Sequence, residues 1–225
     1  MKQETAELKD YLILRKNIYH VLGHAFYKEG THEFIEELRK YHNAFLEMFK
    51  TKNDKNIING LHKLADAVFE DESVYRKQFA RIFLSTGYAE KVKSVVPQES
   101  VYLSPAHLSM QDERDEVLKM YYEEGIGKNK DFREPDDHVT AEFHFMANLS
   151  EQAAEIMATD PDRAKSKIET QIRFLNEHIN RWVPQMCDNI LDMTSSDYFK
   201  AIALLTKGFI AYETATLQEI SDLMN

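Results

Sequence analysis

The chain has 225 residues, 43% of them hydrophobic and 29% charged, with 28 basic against 38 acidic side chains and a formal net charge of −10. That length suits one sizeable domain, and the charge argues against nucleic acid and anionic membranes as partners and towards cationic ones. Seven glycines and five prolines are too few for an all-β fold, and the single cysteine, Cys187, excludes an intrachain disulfide framework.

The segment MKQETAELKD carries no apolar core of the kind a secretory signal needs, and no apolar run approaches the roughly 20 residues of a membrane span. A cytoplasmic protein is the simplest expectation. From here the pattern is helical almost throughout. Leu8, Leu12, Arg15, Ile18, Leu22 and Phe26 recur at three- and four-residue steps, which marks one buried face. Thr31 is a candidate cap for a second helix running to about Phe49, with Phe34, Leu38, Phe45 and Phe49 inward. Asn53 or Asp54 opens a third through Phe69, and a short fourth carries Tyr75, Phe79, Ile82 and Phe83.

Periodicity then fails from Ser85 to about Leu108, where Gly87, Pro97 and Pro105 interrupt it. Ordered loops of this length are disproportionately functional, and this one is also a candidate hinge. Helix resumes from Met110 to Glu124, and a second loop covers Gly125 to Pro135. Asp136 or Asp137 is then expected to cap a helix to about Ala158. Asp160-Pro161 is a strong start signal, with a capping carboxylate followed by proline at the first helical position. The helix it opens carries Ile168, Ile172, Leu175, Ile179 and Trp182 on one stripe, and Pro184 is expected to end or kink it. Ser195 or Ser196 opens the last helix, with Phe199, Ile202, Leu205, Phe209 and Tyr212 inward. The expectation is an all-α, single-domain bundle of about nine to eleven helices.

Motifs for catalysis are missing: no HExxH, GxSxG, Walker sequence or dinucleotide fingerprint occurs. Gly125-Ile126-Gly127-Lys128 lacks the spacing and preceding strand of a phosphate loop and reads as a glycine turn. Cys187 reads as a buried structural residue. His20 and His24 share a helix face, and His138 and His144 lie near Glu134, Asp136, Asp137 and Glu142. A metal-binding helical bundle using these His and carboxylate ligands is therefore the alternative reading, although no paired Glu-x-x-His motif supports it.

The most informative stretch begins Glu134-Pro135-Asp136-Asp137-His138 and continues Phe143-His144-Phe145-Met146-Ala147-Asn148-Leu149. Carboxylates suit a helix N-terminus, but a protonated histidine there does not. This stretch resembles the signature of the TorD/DmsD family. Pro97-Gln98-Glu99-Ser100-Val101-Tyr102 is similar to that family's Pro-x-x-Ser-Val-Tyr segment, and Phe174-Leu175 through His178 to Trp182 is similar to its Phe-Leu-x-x-His-Leu-x-x-Trp segment. The three stand in the family's order, and the resemblance spans roughly residues 10 to 215.

The resemblance implies an all-α, TorD-like fold and a client-specific chaperone, not an enzyme. Such a chaperone binds the twin-arginine signal peptide and the apo-form of a molybdopterin-containing oxidoreductase subunit, assists cofactor insertion and prevents premature export. No cofactor is implied beyond weak guanine nucleotide binding, and no nucleic acid or stable membrane association. A monomer or a helix-swapped dimer fits. The implied peptide and client contacts are Ile82, Phe83, Pro97, Ser100, Tyr102, Glu134, Pro135, Asp137 and His138. Ile82 and Phe83 would give apolar area, Glu134 and Asp137 would face arginines, and Ser100 and Tyr102 would offer hydroxyls. Phe83 and Tyr102 equally suit core packing, while His178 and Trp182 suit a structural stripe. Some members carry tryptophan where this chain has Gln98 and Glu99, and the added acid favours a more basic peptide.

Overall fold

The apolar stripes read above do become helices. In the computed structural model, which describes residues 2–49, 54–67, 69–84, 94–128 and 130–224, with side chains apart from those of 2–4 and 47–49, eleven α-helices and one π-turn form. No strand of a sheet occurs among the described residues. The elements are α1 (Lys2–Tyr27), α2 (His32–Lys40), α3 (His42–Phe49), α4 (Lys55–Ala67), α5 (Glu72–Phe83), α6 (Glu99–Leu103), α7 (Asp112–Glu123), α8 (Val139–Ile156), α9 (Pro161–Phe174), the π-turn (Leu175–Ile179), α10 (Asn180–Met193) and α11 (Asp197–Leu223).

Two compact units share these elements. The first comprises Met1–Gly23, Gln98–Trp182 and Ala211–Asn225; the second comprises His24–Pro97 and Val183–Ile210. Three helices, α1, α10 and α11, therefore carry residues of both.

The first unit is built on α8, which is buried on nearly every side through Phe143, Phe145, Met146 and Leu149. Each such side chain contributes about 1.5–3 kcal/mol by leaving water. Leu12, Ile18 and Leu22 of α1 are fully buried, and so is Arg15, the one charged member of that stripe. Its Nε donates to both carboxylate oxygens of Glu213, at 2.9 and 3.0 Å, and its Nη2 donates to Gln171 Oε1 at 2.9 Å. Tyr19 also donates to Glu213, and Ser150 to Gln171, each at 2.9 Å. Burial works against the guanidinium charge, but Glu213 more than compensates and holds Arg15 above its ordinary range.

Between α9 and α10 the helix does not stop. Pro184 sits inside α10, and the π-turn lies just before it, closed by the Asn180 N–H on Leu175 O. Proline has no N–H to give and crowds the preceding turn, yet α10 does not end there and runs on to Met193.

In the second unit, α4 and α11 approach closely because each offers a glycine. A Cβ on Gly60 would lie 2.8 Å from Leu205 Cγ, and one on Gly208 would lie 2.5 Å from Ile57 Cγ1. Thr31 caps α2 by accepting from Phe34 N, and Asp54 accepts from Asn56 N and Ile57 N at the start of α4. The long second helix read from the sequence is in fact two, interrupted at Tyr41. The last helix is capped from a distance: Glu70 accepts from Asp197 N at 2.8 Å and from Ser196 Oγ at 2.7 Å. Phe69, expected at the end of α4, lies beyond it and is 88% exposed. Ile82 is fully buried, and its carbonyl accepts from Val95 N at 2.7 Å. Phe83 is half-buried, with its ring centroid 5.0 Å from that of Phe79 and 6.2 Å from that of Phe199. Pro97 is buried. Of the hinge read at 85–108, residues 85–93 lie outside the described residues, and the rest contains α6.

Candidate functional site

Residues 98–102 of the Pro-x-x-Ser-Val-Tyr segment and the Glu-Pro-Asp-Asp-His segment meet in the first unit. Gln98 and His138 form an isolated antiparallel bridge, and Glu99 N donates to Asp137 O at 3.0 Å. The Asp137 carboxylate is fully buried, and it does not cap the helix that follows it, as the sequence leads one to expect. Instead its Oδ2 accepts from Ser100 N at 2.9 Å and from Ser100 Oγ. Asp137 thus caps α6, whose own N-cap residue, Gln98, makes no side-chain capping bond.

His138 takes over the cap of α8. Its Nδ1 accepts from Thr140 N at 3.1 Å. That role needs a neutral ring, and burial, with Lys128 nearby, pushes its pKa down to about 3. The conflict between a histidine and a positive helix end is resolved because the ring is never charged at neutral pH.

The turn is clamped from outside. Arg114 of α7 donates to Asp136 Oδ2 through Nε at 2.9 Å and Nη2 at 2.6 Å, a two-pronged contact, and Lys128 Nζ lies 3.4 Å from Oδ1. Tyr121 donates to Asp136 O at 3.1 Å, and Lys128 to Glu134 O. Glu134, Pro135 and Tyr102 are half-buried and so partly accessible, and the Tyr102 ring rests 5.4 Å from that of Trp182.

Beneath α6 lies a second layer that sequence reasoning does not assemble. Glu99 and Glu142 are both fully buried, and their carboxyls lie within hydrogen-bonding reach of each other. His178 Nδ1 faces the Glu99 carboxylate at 2.9 and 3.1 Å, and Trp182 Nε1 donates to Glu142 Oε2 at 3.2 Å. Burial pushes the Glu142 carboxyl well above the usual range, reinforced by Glu99 and Asp137; Glu99 is raised as well, chiefly by burial. His178 and Trp182 read in sequence as a plain stripe, and Glu99 as an acid turned towards a peptide. The available signal is Glu142 itself, an acid inside an otherwise apolar run.

Sequence reasoning thus brings together Ser100, Asp137 and His138, with Tyr102, Glu134 and Pro135 partly accessible in the same segments. Ile82, Phe83 and Pro97 belong to the second unit. His20 and His144 stand with ring centroids 5.0 Å apart, while the His24 ring stacks on Phe34 at 4.7 Å. Among the described residues no three His, Cys, Asp or Glu side chains stand where they could hold one metal ion. Gly125, at φ 67°, ends α7: its N–H reaches Tyr122 O and the Ile126 N–H reaches Tyr121 O, the double bond of a glycine helix stop. Cys187 is buried, and burial pushes its thiol up.

What results is an all-helical protein whose polar signature residues fasten a short helix in place. The family model described as "Nitrate reductase delta subunit" matches residues 36–188, and the chain belongs to that family. Its relatives bear out the TorD resemblance. A "Chaperone protein TorD" of Photobacterium profundum is 26% identical over 163 residues, covering 72% of this chain and 71% of its own. One from Vibrio cholerae serotype O1 is 22% identical over 95% of this chain and 96% of its own, and one from Aliivibrio salmonicida is 24% identical over 94% and 98%. No described helix is long and apolar enough to cross a membrane.

Proposed function

We propose that the protein is a client-specific maturation chaperone for a molybdopterin-containing oxidoreductase subunit. It acts in the cytoplasm, binds the client's twin-arginine signal peptide, holds the apo-subunit for cofactor insertion and delays export. Family membership and the curated TorD relatives support the chaperone part of this reading.

One observation carries the peptide part: the joint at α6 has more buried acceptors than donors. Asp137 Oδ1, Gln98 Oε1 and Glu142 Oε1 are all buried without a partner. A buried acceptor left unmet costs about 1–3 kcal/mol. A guanidinium brings five N–H donors and positive charge together, which is what such a site lacks. The net charge of −10 favours the same ligand at longer range. The peptide approaches over the rim of Tyr102, Glu134 and Pro135, and the apolar part of the signal follows.

Calorimetric titration with synthetic twin-arginine signal peptides, at low and high salt, tests this. Saturable binding should weaken with salt and fall at least tenfold in Asp137→Asn. Replacing both arginines of the peptide with glutamine should abolish it. Folded protein that binds none of the molybdoenzyme signal peptides from its own genome overturns the peptide reading.

A further inference from the structure

Two fully buried carboxyls in contact do not both ionise. Removing either charge from water is costly, and the two repel in a medium that screens poorly. Such a pair holds a proton in common, and the proton belongs to the pair more than to either member. The surroundings of Glu99 and Glu142 fit that state. From the π-turn, His178 supplies one N–H towards Glu99; from α10, Trp182 supplies one towards Glu142 Oε2. Oε1 of Glu142 has no donor as long as both acids are ionised. A proton on either carboxyl creates the missing donor and closes the contact between α6 and α8.

Among the described residues no other group facing the pair offers a compensating positive charge. Asp137, in the turn before α8, acts on Glu142 and opposes its ionisation. Arg114 and Lys128 are committed to Asp136. His178 faces only Glu99.

We propose that one proton shared between Glu99 and Glu142 latches α6 onto α8, and that a cationic side chain docking at Asp137 takes that proton's place. The second half rests on the peptide reading given above. A guanidinium at Asp137 Oδ1 brings into the acid cluster the positive charge it lacks. The pair then ionises, its proton passes to solvent, and the grip on α6 loosens as the peptide seats. No bond other than that O–H breaks.

Two measurements separate the halves. Infrared difference spectroscopy of the free protein at neutral pH should detect the carbonyl stretch of a buried, protonated carboxylic acid, lost in Glu142→Gln and in Glu99→Gln; either variant suffices if the other does not fold. Calorimetry of peptide binding in two buffers of different ionisation heat should register about one proton released per peptide in the native protein and none in Glu142→Gln. A free protein without the carboxylic acid band overturns the latch. Peptide binding with no buffer dependence overturns the exchange and leaves the peptide reading intact. If no peptide binds, the exchange falls with that reading, and the infrared result alone upholds or overturns the latch.

Discussion

Two buried polar clusters in the first unit are equal in burial and opposite in balance. At Arg15, a guanidinium donates to both oxygens of Glu213 and to Gln171, with Tyr19 adding a further donor. Charge is met by opposite charge and acceptors by donors, with Arg15 Nη1 the donor left over. At Glu99 and Glu142, acid meets acid, and His178 and Trp182 bring only one N–H each. The first cluster is a tie between α1, α9 and α11, held by paired charge with a donor to spare. The second has more acceptors than donors, and only a proton or a cationic side chain makes up the difference. A buried polar group is therefore not in itself a mark of function; an unmet requirement shared by several of them is.

The largest effect should come from breaking the balanced cluster. Arg15→Met leaves Glu213 buried and unpaired, and should cost about 3–5 kcal/mol in urea unfolding. Adding Glu213→Leu should recover most of that loss, because the stranded charge is then gone. Next is the cap on α6: Asp137→Ala should cost about 2 kcal/mol, with faster amide exchange at Ser100 and Val101.

Acid should then distinguish His138. Its native pKa is pushed down to about 3, below the ordinary value near 6.5. The folded protein binds that proton less readily than the unfolded chain does. Stability is therefore full above about pH 6.5 and lost as pH falls towards 3, by roughly 2 kcal/mol at pH 5. His138→Asn, which keeps an acceptor at the cap, should flatten this part of the profile in thermal unfolding across pH 4–8.

The smallest effect runs the other way. The native pKa of Glu142 is raised, chiefly by burial, so its contribution is full below the ordinary glutamate value of about 4.3 and lost as pH rises through the native one. Glu142→Gln keeps the shape, carries its own donor and does not titrate. It should match the native protein in acid and exceed it by about 1 kcal/mol at neutral pH. Equal melting temperatures at pH 7 would mean that the two clusters do not differ as described.

Most helices are legible because the core speaks in a period of 3.6, and even Arg15 is found on its stripe. The caps at Thr31 and Asp160 are legible for the same local reason: the acceptor lies three residues before the N–H it serves. What fails is non-local. The break at Tyr41 interrupts an apolar rhythm that Phe34, Leu38 and Phe45 carry across it. Asp137 gives its local cap away to Ser100, 37 residues distant in sequence, and His138 fills the vacancy. An end at Pro184 is one expected outcome, and α10 instead runs on past it to Met193. In the candidate site, Ser100, Asp137 and His138 are found as signature residues. Glu99 and Glu142 are not found as a pair, because an acid on a helix is ordinarily solvated, and only three-dimensional packing reveals two of them face to face.

The capping of α6 by Asp137 also has a consequence for the order of assembly. Five residues are too few to nucleate a helix unaided. Until residues 134–138 and the start of α8 are in position, α6 has no carboxylate for its first N–H groups, so it condenses after them. Loss of a contact that forms after the rate-limiting step accelerates unfolding and leaves folding unchanged, so rates measured on Asp137→Ala place this cap before or after that step. The segment thus joins the native chain no earlier than residues 134–138, which carry its cap.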